Sequence, residues 1–102
     1  MKVIKKTIEH MDNTLDEANE YYVDYVLYKD DYPKFATTAL EMAKTHLDLY
    51  NKWHQVVVSA ISDYRAKSGE PPKEMSIIWN YEHERLVKQY EDLKSKINSV
   101  MR

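Results

Sequence analysis

Residues 32–68 read YPKFATTALEMAKTHLDLYNKWHQVVVSAISDYRAKS, and this stretch decides the fold. Ala36, Leu40, Ala43, Leu47, Tyr50, His54, Val57, Ile61 and Tyr64 recur at spacings of three and four, with an adjoining row of Ala39, His46, Trp53 and Ala60. That period places them on one face of an α-helix, and no alternation of period two competes with it. Pro33 suits a first helical turn, where its missing N–H is not needed, and the Lys29-Asp30-Asp31-Tyr32-Pro33 stretch offers an Asp as a cap. Gly69 suits the position just past a helix end.

Outward from this stretch, only Lys29-Asp30-Asp31-Tyr32-Pro33 and Ser68-Gly69-Glu70-Pro71-Pro72 punctuate the chain. Ile4, Ile8, Met11, Leu15, Ala18, Tyr22 and Tyr25 form a helical row before the first. Trp79, His83, Leu86, Tyr90, Leu93, Ile97 and Val100 form another after the second. The reading is all-α: one domain over residues 1–102, with helices over about 2–30, 32–68 and 72–101. Short connections make neighbours antiparallel, an up-down-up bundle.

Charge supports that layout. Lys2, Lys5 and Lys6 begin the first helix and Asp24, Asp30 and Asp31 end it, against its own macrodipole. In the bundle the lysines would face Glu70 and Glu74, and the acidic end would lie near Lys94, Lys96 and Arg102. Met75, Ile77, Ile78, Tyr81 and Val87 lie off the main row of the third helix. Leftover apolar surface of this kind predicts completion by self-association, a homodimer or higher oligomer.

Composition excludes several classes. A net charge of −2 with scattered basic residues gives no footprint for long nucleic acid. The absence of cysteine removes disulfides, thiol catalysis and thiolate metal sites. The first residues, MKVIKKTIEHMDN, carry no apolar signal region, and no apolar run is long enough to span a bilayer, so a cytoplasmic location without membrane association is expected. Ser59, Ser62, Ser76, Ser95 and Ser99 have no nucleophile-elbow context and no acid pair has a catalytic spacing, so nothing supports an enzyme.

Histidines carry the functional question. His46, His54 and His83 stand on apolar rows, where a polar ring needs a partner. At a rise of about 1.5 Å per residue, His83 falls opposite the region of Val58, roughly one turn from His54, so the two rings can meet or share a ligand. His46 lies about two turns further along and serves a separate role, while His10 reaches a depth close to His54 but flanks its row. Three readings stand open for the pair: hydrogen-bonded core residues, a metal site with Glu82, Glu84 or a symmetry-related His, or the wall of a ligand pocket. Around the pair, Tyr50, Trp53 and Trp79 supply ring surface. Tyr21, Tyr22, Tyr25, Tyr28 and Tyr32 gather at the end of the first helix, read as packing or as a stacking surface for a planar ligand such as a nucleotide base.

YKDDYP at residues 28–33, WHQVVVSAISDYRAKSGEPPKEM at 53–75 and YEHERL at 81–86 resemble the small ferritin-like (rubrerythrin-like) proteins of phages and prophages of Gram-positive bacteria. The resemblance implies a ferritin-like bundle in a host bacterial cytoplasm. Proteins of that kind hold two iron or manganese ions between Glu and Glu-x-x-His donors. Here Ala43, Asn51 and Asn80 stand three residues before His46, His54 and His83, and the first helix has no acid in its core row. A working di-iron centre is not expected. The expected function is a non-enzymatic oligomeric binding protein without a cofactor. Its site (His54, His83, Tyr50, Trp53, Trp79, Tyr25 and Tyr21) would sequester a small ligand such as a nucleotide signal, or a host protein factor, in counter-defence. The alternatives are an altered Fe, Mn or Zn site built from His54, His83, Glu84 and Glu82, and a structural interaction module with no small ligand.

Overall fold

A computed structural model describes the backbone of residues 2–69 and 73–101, and the side chains of 4–67, 69, 73 and 79–101. Three α-helices account for it: α1 (Lys2–Tyr28), α2 (Pro33–Ser68) and α3 (Lys73–Met101), with no strand among the described residues. Thirty-six residues of α2 at about 1.5 Å each give roughly 54 Å, which sets the 55 Å long axis of a 55 × 22 × 18 Å rod.

Cross-helix contacts establish the directions. His10 meets Trp53 and Glu17 meets His46, so α1 and α2 are antiparallel. His54 meets His83 and Asn51 meets Tyr90, so α2 and α3 are antiparallel as well. Asp12 meets Arg85, while Leu15 and Asp16 share a cleft with Gln89 and Leu93; α1 and α3 therefore run parallel. The up-down-up reading holds.

The connections show why the helices stop where they do. The first α2 residue is Pro33, and Tyr32 before it takes an extended φ of −134°, as a residue preceding proline must. The expected Asp cap is absent: Tyr32 occupies the cap position and makes no side-chain cap bond, because α2 begins at the proline itself and leaves Asp31 outside. The Tyr32 N–H instead donates to the Tyr28 carbonyl at 2.8 Å and closes the end of α1. Beyond α2, Gly69 takes a φ of +84°, a conformation that a Cβ disfavours, and its N–H donates to the Arg65 carbonyl at 3.1 Å.

The core follows the apolar rows. Ile4, Ile8, Met11, Leu15 and Ala18 of α1, Leu40, Ala43, Leu47, Tyr50 and Val57 of α2, and Leu86, Tyr90, Leu93 and Ile97 of α3 form one buried cluster. Thr7 and Thr14 are buried with them; Thr14 does so by donating its hydroxyl to the His10 carbonyl at 2.6 Å, within its own helix. Val100 is a correction. It sits at the expected period but is exposed, as is Met101, because Ile97 is the last residue of α3 that the other helices cover.

Val23, Val26 and Leu27 of α1, Phe35 of α2, and Val100 and Met101 of α3 are all exposed. The register puts them at the same end of the rod, where α1 and α3 finish and α2 begins. Lys96 shares a cleft with Asp16, which is not one of the acids expected to face it. The pairings with Glu70, Glu74 and Arg102, and the off-row side chains Met75, Ile77 and Ile78, lie outside the described residues. No helix among the described residues is long and apolar enough to cross a membrane.

Candidate functional site

The inward rows of α2 and α3 carry rings where they face each other. Tyr50 and His54 are one turn apart on α2, as are Trp79 and His83 on α3, so each pair stacks along its own helix and meets the other across the gap. Trp79 lies on His83 with centroids 4.6 Å apart, His83 on His54 at 5.1 Å, His54 beside Tyr50 at 6.3 Å, and Tyr50 on Tyr90 at 4.8 Å. Lys94 ends the run, its Nζ 5.6 Å from the centre of the Tyr90 ring. The result is a continuous file of five rings along the α2–α3 seam.

Polar atoms sit in the middle of that file. His54 Nε2 and His83 Nε2 face each other at 3.0 Å, and both rings are half-buried. A neutral pair makes this bond with one Nε2–H donor and one Nε2 acceptor; two protonated rings cannot make it. Burial lowers the His54 pKa below the usual histidine value, and the neighbouring His83 lowers it further. Nearby, the Asn51 amide donates to the Tyr90 hydroxyl at 2.8 Å. The Tyr50 hydroxyl is buried and has no hydrogen-bond partner among the described residues, and burial, with Tyr90 and Glu91 adding to it, pushes its pKa up to about 12.

His46 is built differently. Its Nδ1 lies 2.8 Å from the Met42 carbonyl and its Nε2 2.9 Å from the Glu17 carboxylate. Both partners are acceptors, so the ring satisfies both only as an imidazolium donating two N–H bonds. It ties α1 to α2 and stands apart from the seam, as axial counting predicts.

Seven residues are predicted for the site, and the structure brings four together: His54, His83, Tyr50 and Trp79. Trp53 is not among them; it stacks on His10 of α1 at 5.1 Å. Tyr21 packs on His46, and Tyr25 on Tyr22, nearer the other end of the rod. Tyr90 and Asn51 belong to the seam without having been singled out, although Tyr90 stands seven residues after His83 on the same helical face.

The acids predicted as ligands are not directed at the histidines. Glu82 is held by Arg85 at 2.5 Å, and Glu84 is exposed. Arg85 also reaches Asp12 of α1 at 3.3 Å, and these two hydrogen bonds, Glu82 first, raise its pKa further above the ordinary arginine range. Among the described residues no three His, Asp or Glu side chains converge as a metal site. The carboxylate bridges that a di-iron or di-manganese centre needs are therefore not formed by the donors the resemblance carries over. Comparison with known protein families, curated proteins and solved structures returns no match to this chain.

Proposed function

We propose that this chain is a non-enzymatic binding protein, working as a homo-oligomer, whose working surface is the α2–α3 seam. The observation that carries this reading is the His54–His83 pair: two ring nitrogens in a half-buried position, bracketed by the faces of Trp79, Tyr50 and Tyr90. Such a surface offers stacking area to a small planar ligand, with a donor and an acceptor supplied by the two Nδ1 atoms while the Nε2 atoms bond each other. No serine, cysteine or carboxylate joins the two histidines to make a nucleophile or an acid–base pair among the described contacts. The setting implied by the resemblance is a phage or prophage protein in a host bacterium, sequestering a nucleotide-like signal or a host factor in counter-defence. The exposed apolar end of the rod supports self-association, since three helices that leave such residues uncovered complete themselves economically with a second copy.

Native mass spectrometry of protein purified directly from cells tests this. The expected result is a multiple of the 12.2 kDa chain with a discrete small ligand retained, and loss of that ligand in Trp79→Ala. A monomer of bare chain mass, with no change in the Trp79 indole resonance across a nucleotide panel, overturns the reading.

A further inference from the structure

We propose that the centre of the α2–α3 seam is a mononuclear site for a borderline divalent transition-metal ion, zinc or nickel, held by His54 Nε2 and His83 Nε2. This rests on the seam being the binding surface and adds the class of ligand that its polar centre takes.

Geometry is the first argument. Two imidazole nitrogens bound to one tetrahedral zinc ion, each about 2.0–2.1 Å from it, stand roughly 3.3 Å apart. The observed separation is 3.0 Å, with the rings inclined by 23°. A widening of about 0.3 Å admits the ion. Both rings are half-buried rather than enclosed, which leaves side-chain rotation free to supply it.

Donor chemistry is the second. The two nitrogens are borderline ligands that suit zinc, nickel and copper, whereas magnesium and calcium require oxygen. The carboxylate next in sequence to His83 on its N-terminal side, Glu82, is engaged by Arg85. Two positions on the ion are left to water, so the site is open rather than closed.

The third argument is protonation. Coordination needs the neutral ring, and the 3.0 Å bond between the two Nε2 atoms forms only when at least one of them is unprotonated. In the free pair one Nε2 carries the shared proton. When the ion enters, that proton moves to Nδ1 of the same ring, and the neutral pair takes the metal with no net proton released. Trp79 stacks on His83 and Tyr50 on His54, one on either side of the pair.

The test is a titration of chelator-treated full-length protein with zinc chloride, followed by calorimetry and by the ring nitrogen resonances of the four histidines. The expected result is one zinc per chain, with shifts at His54, His83 and the Trp79 indole, and no response to magnesium chloride. His54→Gln and His83→Gln each weaken zinc binding by about tenfold or more, while His10→Gln and His46→Gln leave it unchanged. Wild-type ring resonances decide the matter even where a variant fails to fold. Zinc that shifts His10 or His46 instead, or that leaves all four rings unmoved, overturns the site. If zinc does not bind but a small ligand survives in the native mass and is lost in Trp79→Ala, the metal assignment falls and the seam remains the binding surface.

Discussion

The two seams of this rod are built on opposite plans. Where α1 meets α2 the core carries alanines: Ala18 and Ala43 have no exposed surface, Ala36 and Ala39 are buried, and the backbones approach closely along the shared length. Where α2 meets α3 it carries Trp79, His83, His54, Tyr50 and Tyr90, and the backbones stand further apart. Small residues permit close approach, and the polar side-chain tie between these two helices, His46 to Glu17, ends on a carboxylate that is exposed. Rings keep helices apart and bring nitrogen and oxygen atoms with them. The first seam is the close-packed one, and the second is the seam proposed above as the binding surface.

The largest effect expected from this contrast is at Ala43. Ala43→Leu inserts three carbons into a close-packed seam and should destabilise the protein by about 3 kcal/mol, read from urea denaturation. The double substitution of His54 and His83 by Leu should do the reverse in metal-free protein, raising stability by about 1 kcal/mol, since both members of a polar pair are replaced by apolar groups. Comparable losses from the two changes would break the comparison, because the histidine pair would then be as structural as the alanines.

The rows of spaced apolar residues made three helices and their directions legible, because burial on one face imposes a period that sequence preserves. Depth was legible too: counting residues brought His54 near His83 and kept His46 away. Direction around a helix was not. Trp53 and His54 are adjacent in sequence yet about 100° apart around α2, and this sends one to α1 and the other to α3. The same rotation, together with the pull of Arg85, removes Glu82 from the pair. Val100 fits the period but is exposed, and periodicity carries no information about where burial along a row ends.

Tyr50→Phe sharpens the comparison at the next scale. Its hydroxyl is buried and has no partner among the described residues, so removing it should stabilise the protein by about 1 kcal/mol. In alkaline titration one of the nine tyrosines should ionise late, near pH 12, and Tyr50→Phe should abolish that step. The sign follows from a raised folded pKa: the contribution is complete below about pH 10, the unfolded value, and is lost as pH rises through about 12. A loss of stability on removing the hydroxyl would mean that the seam supplies it with a partner.

A smaller effect is expected on the acid side. The folded pKa of His54 lies below its unfolded value of 6.5, so the unfolded chain binds more protons as pH falls through that range. The stability of metal-free protein should be level above pH 6.5 and decline as pH falls towards the folded pKa. Thermal melts of wild type and His54→Gln across this window measure it, and equal slopes in the two proteins would remove His54 as the source.

The smallest effect should come from the polar tie between α1 and α3. Arg85 joins Asp12 of α1 and Glu82 of its own helix, with each of the three side chains about a third exposed. Solvent at that exposure weakens the attraction, and ordering a long side chain offsets part of what is left. Arg85→Met keeps much of the apolar stem and should cost about 0.5 kcal/mol, shrinking further in high salt. A loss as large as that of Ala43→Leu, insensitive to salt, would show that α3 is held on the hairpin by charge. A small, screened loss means that α3 is held by Leu86, Tyr90, Leu93 and Ile97, and that the ring seam can adjust without undoing the fold.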